Sequence, residues 1–328
     1  MLRVCCCLAV ILLHTSARTI YLYGDCDPIS WNFANLANSA TRWSVPVFVM
    51  LSGALLNRRL IDNPWQFIAA RLKRFALLIL IWSAIYFAWR AAFHHEPLSA
   101  PAIARDLFHG QPYYHLYFLF SISDLSIVAP VLSPAIQRLP RRLSVALSMT
   151  ATAIAGITIA AQGYDPNFLT YFVHYIGYFA LGALLPARSG RPRWHLVVVI
   201  IAAISLTAIL TAFTVSYSGG TQGRWSLYFY NYFSPTVVVA AIAVFILFAR
   251  LNVPLWSRTF LQTTASLTLG VYLIHPIILE LLRWFWTRYL PSALNPAIDV
   301  PLTFALTALL SGTIVFFARR VPALRAAI

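Results

Sequence analysis

The chain has 328 residues, 60% of them hydrophobic and only 10% charged, with a mean hydropathy of +0.74 and a formal net charge of +15. That balance excludes an ordinary soluble domain. It also excludes a nucleic-acid-binding module: the basic residues recur in short clusters between apolar runs instead of gathering on one face, as a membrane protein places positive charge on its cytoplasmic side.

Ten apolar segments are long enough to span a bilayer, at approximately 4–22, 41–57, 71–92, 114–136, 143–161, 168–186, 195–216, 231–249, 264–286 and 299–318. The pattern predicts an all-α, polytopic helical membrane bundle that forms one domain over 1–328, with no soluble domain, linker or repeat. The connecting segments alternate in charge. One set carries Arg3, the Arg58–Arg74 cluster, Arg138, Arg141, Arg142, Arg188, Arg191, Arg193, Arg250, Arg258, Arg319, Arg320 and Arg325, most of the 24 basic residues. The other carries fewer cations and most of the acids: Asp25, Asp27, Glu96, Asp106, Asp165 and Asp299. The positive-inside rule therefore places both termini in the cytoplasm and the longest loop, 93–113, outside. Aromatic residues such as Trp31, Tyr113, Tyr114, Trp225 and Tyr228 crowd the outer ends, as interfacial belts do. Three of four cysteines are consecutive (Cys5, Cys6, Cys7), with Cys26 alone beyond them, so neither a metal site nor a disulfide framework is indicated.

The first segment carries a chemical pattern. Arg3 and His14 are separated by ten residues, so eleven steps of ~100° bring both to one helix face, ~16 Å apart along the axis. A cation at the surface and a histidine about half-way through the bilayer mark a route into the membrane, and an ionisable residue at that depth is a functional candidate. The competing reading is a cleaved signal peptide ending near Thr15-Ser16-Ala17. Its removal would leave nine spans and disturb the charge alternation.

Other candidates follow in order. Arg42 precedes Pro46, which sits in the first turn of the second span, where a missing N–H costs little. Ser52-Gly53 near the inner end of that span permits either close helix packing or room for a cofactor arm, with Ser52 as a donor. Arg71 and Arg74 are i,i+3 neighbours able to grip one phosphate, although topology alone also explains basic residues there. His115 stands near an outer helix end, and Asp124, about 180° away, must be paired or line a cavity. Tyr272 and His275 share a face before Pro276, and Glu280 and Arg283 are spaced to pair.

Together these residues resemble the acyltransferase 3 family of integral membrane acyltransferases. The resemblance rests on Arg3 and His14 with ten residues between them, Ser52-Gly53-Ala54-Leu55 preceded by Arg42-Trp-Ser-Val-Pro-Val-Phe, Arg71-x-x-Arg74, His115-Leu-Tyr-Phe and Tyr272-Leu-Ile-His275-Pro276. The stretch Ser30 to Arg42 is similar to the O-acetyltransferases of enterobacterial common antigen. Ala54 replaces the aromatic usual in the family, Asp124 has no family counterpart, and the chain opens at Met1-Leu2-Arg3 where relatives carry a short cytoplasmic segment.

The resemblance implies an acyl-CoA donor, usually acetyl-CoA, bound by Arg71, Arg74, Ser52 and Gly53, with no permanently bound cofactor. It implies a carbohydrate or lipid-linked glycan acceptor approaching from outside, where Arg42, His115, Tyr272 and His275 serve the acceptor side or support the site. His14, with Arg3 on its stripe, is the expected general base in a bacterial inner-membrane protein surrounded by lipid. The alternative from another class is a transporter or flippase of an envelope lipid or glycan that uses the intramembrane His, Asp and Glu as relay or substrate sites.

Overall fold

The computed structural model describes residues 1–57, 61–162, 166–185, 194–251, 255–289 and 295–327, with only the backbone of 162, 255–258, 323 and 326. Arg58, Arg59, Arg188, Arg191, Arg193 and Asp165, used above for topology, lie outside the described residues. The described chain is helical and contains no strand. Its α-helices in order are α1 (Leu2–Ile20), α2 (Pro28–Ser39), α3 (Ser44–Leu56), α4 (Pro64–Phe93), α5 (Ala100–Phe108), α6 (Tyr117–Arg138), α7 (Arg141–Gln162), α8 (Tyr171–Leu184), α9 (Trp194–Tyr217), α10 (Pro235–Arg250), α11 (Leu255–Tyr289) and α12 (Pro296–Ala318). Short 3-10 helices occupy Tyr228–Tyr230 and Pro322–Ala327.

Among the described residues, 9 helical stretches are long and apolar enough to cross a membrane. The sixth expected segment is the exception. It is α8, apolar but only 14 residues, about 21 Å long by helical rise. The second span also begins earlier than its hydropathy suggests. The helical path runs Pro28–Leu56, with a short turn between α2 and α3. Asp27 caps α2 by accepting from the Ser30 amide at 2.9 Å, and Pro28 fills the first turn. The Ser30 donors hold the Asp27 carboxyl below its ordinary range. Helix α2 buries Ser30, Trp31, Ala34, Asn35, Asn38 and Ser39, a face too polar to register as an apolar run.

The chain divides into two compact units. The first, Met1–Phe48 with Ala187–Arg320, holds α1, α2, the start of α3, and α9 to α12. In it α1 packs on α2, α11 and α12, while α9 packs on α10 and α2. Small hydroxyl residues at four-residue spacing let these helices approach: Thr303, Thr307 and Ser311 on α12, Thr207 and Thr211 on α9, all buried. Thr207 donates to Thr236 of α10 at 2.8 Å.

The second unit, Val49–Pro186 with Val321–Ile328, holds the rest of α3 and α4 to α8. Glycine decides its tightest contact: a Cβ on Gly53 would fall on the Phe179 carbonyl of α8, and one on Gly182 of α8 would fall on the Met50 carbonyl of α3. Gly177 likewise lets α8 lie against Ser148 and Thr152 of α7. The C-terminal 3-10 helix folds onto α4, where the Trp82 indole donates to the Ala327 carbonyl at 2.7 Å. The 93–113 loop contains α5 and is clasped by Arg90, which pairs with Glu96 at 2.6 Å and Asp106 at 2.7 Å and donates to the Pro112 carbonyl at 3.1 Å. Hydrogen bonds from Arg90 hold the exposed Glu96 carboxyl below its usual range.

The alternation of basic and acidic connections predicts that reporters fused after Leu60 and after Pro140 read cytoplasmic and that one within 93–113 reads external. An external signal at Pro140 would overturn that orientation.

Candidate functional site

The site in the first unit is built around His14, one and a half turns before the end of α1. His14 is half-buried as a residue. Against it lies His275 of α11, with ring centroids 5.4 Å apart and planes inclined by 31°. His275 is fully buried. Two residues far apart in sequence, each at the centre of a separate motif, are thus brought together. Arg42 and Arg283 lie close enough to act electrostatically on His14. Tyr272, also buried, has its ring centroid 5.9 Å from that of His275.

The Tyr-Leu-Ile-His-Pro run has a local physical logic. In a regular helix the Tyr272 carbonyl accepts from the amide four residues later, but that residue is Pro276, which has no N–H. The orphaned carbonyl accepts from His275 Nδ1 at 2.6 Å instead. A carbonyl can only accept, so Nδ1 carries the proton and Nε2 carries the lone pair in the neutral ring. Proline therefore selects the tautomer of its neighbour.

A polar network holds α1 beside this pair. Asn38 of α2 donates through Nδ2 to the Leu13 carbonyl at 3.0 Å and to Ser16 Oγ at 2.9 Å. Asn38 Oδ1 accepts from Arg42, through Nε at 2.7 Å and through a second guanidinium nitrogen. That contact fixes which end of the amide faces α1. Arg42 also donates to the Tyr230 carbonyl at 3.2 Å, and its guanidinium lies 4.1 Å from the centroid of the Tyr230 ring. Tyr230 in turn donates to Asn35 Oδ1 at 2.6 Å, and Asn35 donates to the Ala208 carbonyl at 2.9 Å. From the opposite side Arg283 donates to the His14 carbonyl at 3.1 Å and the Thr15 carbonyl at 2.8 Å.

Sequence reasoning placed Arg42 on the acceptor side or in a supporting role; the structure places it in this network. It missed Asn35, Asn38 and Tyr230, and for Arg283 it named only Glu280 as partner. The available signal was two amides at i,i+3, Asn35 and Asn38, in so apolar a chain. Arg3 is exposed at the start of α1, on the stripe that leads to His14.

The remaining candidates lie in the second unit. Arg71 is half-buried and its guanidinium is 5.0 Å from the Phe67 ring centroid; Arg74 is exposed one turn further along α4. Ser52 is half-buried on α3, beside the Gly53 contact with α8. At Gly53 the packing reading fits the geometry, because helix backbone fills the space next to its Cα. His115 is 1% exposed and surrounded by Tyr86, Tyr113 and Tyr114, at centroid distances of 4.9, 6.0 and 5.6 Å. That enclosure suits a supporting role rather than direct contact with an acceptor. Asp124 is half-buried on α6, and its Oδ2 has no hydrogen-bond partner among the described residues. No group of three or more potential metal ligands occurs among the described residues.

A family model described as an acyltransferase domain matches residues 1–317. The chain belongs to the acyltransferase 3 family. No curated protein and no solved structure matches it. As a membrane acyltransferase it acts on an acyl donor and an acceptor. In the first unit the His14–His275 pair brings two imidazoles from separate helices into contact.

The proline effect is directly measurable. Histidine-selective ¹⁵N NMR of the wild-type protein is expected to show His275 protonated on Nδ1. Pro276→Ala returns an amide donor to the Tyr272 carbonyl and should give a mixture of tautomers. An unchanged His275 signal in that variant would refute the assignment of tautomer to proline.

Proposed function

We propose that the chain is an O-acyltransferase that moves an acetyl group from acetyl-CoA to a hydroxyl of a cell-envelope polysaccharide or lipid-linked glycan, in the inner membrane of a bacterium. The observation that carries this reading is the pairing of a half-buried His14 with the buried His275 in a member of the acyltransferase 3 family. The similarity of Ser30 to Arg42 to the O-acetyltransferases of enterobacterial common antigen supports a glycan acceptor of that kind.

In this mechanism a ring nitrogen of His14 takes the proton of the acceptor hydroxyl as its oxygen attacks the thioester carbonyl. The new C–O ester bond forms, the C–S bond breaks, and the imidazolium returns the proton to the leaving sulfur, giving the ester and free CoA thiol. His275 backs the reacting ring and limits its rotation. Arg42 supplies positive potential where negative charge gathers on the carbonyl oxygen. The donor phosphates are assigned to Arg71 and Arg74, two to three turns into α4.

Two experiments test the reading. His14→Gln keeps side-chain size and some hydrogen bonding, so it should insert normally and bind acetyl-CoA while acetyl transfer to membrane glycan falls ~10²–10⁴-fold. Near-normal turnover by this variant in purified form would remove the base role. Lysine keeps charge but not bidentate geometry. Arg71→Lys and Arg74→Lys should therefore raise the KM for acetyl-CoA while leaving insertion unchanged. A wild-type KM in both would refute the phosphate contact.

A further inference from the structure

Arg283 lies on α11 about two turns after His275. One guanidinium nitrogen, Nη2, reaches the backbone of α1 at the carbonyls of His14 and Thr15, 269 and 268 positions away in sequence. Asn38 takes the preceding carbonyl, that of Leu13. Three consecutive carbonyls of one helical turn therefore each accept a side-chain donor, from α2 on one side and α11 on the other. Thr15 and Ser16 turn their own hydroxyls back onto the carbonyls of Ile11, Leu12 and Leu13. One turn and a half further on, the Trp31 indole of α2 donates to the Ile20 carbonyl at the end of α1, at 3.0 Å.

Stability alone does not require this arrangement. The His14 and Thr15 carbonyls lie inside α1 and are already in register for the amides of Arg18 and Thr19. Losing Arg283 leaves no acceptor on α1 orphaned. The two bonds instead fix α1 lengthwise and in rotation against α11, at the turn where the His14 ring meets His275. Arg283 is charge-assisted and grips two acceptors at once, so it resists both sliding and twisting.

We infer that Arg283 is a positioning residue for acyl transfer: by holding the His14 and Thr15 carbonyls it sets the place of the His14 ring against His275. This rests on the base role proposed for His14. A displacement of about 1 Å at such a centre costs on the order of 10²-fold in rate, so the effect should appear in turnover and not in donor affinity.

The test uses the full-length protein in membranes that contain the native glycan, with radiolabelled acetyl-CoA at varied concentration. Arg283→Met is expected to insert and melt like wild type, to keep the KM for acetyl-CoA, and to lose at least about tenfold in maximal rate. Arg283→Lys, with one point donor, should fall between the two. In a His14→Gln background the further change Arg283→Met should cost nothing more, because the group it positions is gone. Wild-type maximal rate in Arg283→Met, or a loss that adds in full to that of His14→Gln, would overturn the inference. If Arg283→Met fails to insert, Arg283→Lys decides: a reduced maximal rate with normal melting supports the role, and a wild-type rate refutes it. An active His14→Gln would instead refute the base role itself, so the two failures are distinguishable.

Discussion

The constraint on which the site depends is the treatment of backbone carbonyls inside the helices. In an apolar surrounding every polar backbone group must find a partner; α11 meets that requirement through a side chain, while α1, whose carbonyls are in register for its own amides, takes additional donors at one turn. On α11, Pro276 withholds an amide and His275 replaces it, which locks one imidazole. On α1, Asn38 and Arg283 add donors at the turn bearing His14, which locks the helix. The half-buried Arg42 is held the same way, by an amide oxygen, a carbonyl and an aromatic face. Among the described residues its charge is shared over these dipoles and no carboxylate pairs with it.

The two units are built by different means, suited to what they hold. The first uses buried hydroxyls, amides and arginines between its helices and carries the paired imidazoles. The second relies at its tightest points on glycine, with helix backbone laid on helix backbone at Gly53, Gly177 and Gly182. Its charged contacts gather at the 93–113 loop under Arg90, where an ion pair costs less to form than within the span. The aromatic enclosure of His115 lies just beyond, where the loop returns to α6.

Much of this was legible in the sequence where a single helix carries the information. Hydropathy located the spans, with α8 shorter than expected, and an eleven-residue step placed Arg3 and His14 on one stripe of α1. The Tyr-Leu-Ile-His-Pro run announced itself as a motif, although its hydrogen-bond logic needed coordinates. What stayed hidden depends on contacts between helices. The sequence places Arg283 next to Glu280, whereas its bonds to α1 join residues 269 and 268 positions apart. Asn35 and Asn38 sit in a stretch without an apolar run, so α2 gave no periodic signal of a buried face. At Gly53 packing and cofactor space have the same sequence signature, and only the position of the Phe179 carbonyl separates them.

The central claim is that the imidazole of His14 is the group through which acyl transfer passes. Its most direct test is graded carbethoxylation of the wild-type protein in native membranes, with His14 modification mapped by peptide mass spectrometry alongside acetyl transfer. Because His275 is fully buried and His14 is half-buried, His14 should react after the exposed His94, His95 and His195 but before His275. Activity should fall in proportion to its modification, and saturating acetyl-CoA should protect both. Full modification of His14 with transfer intact would contradict the claim.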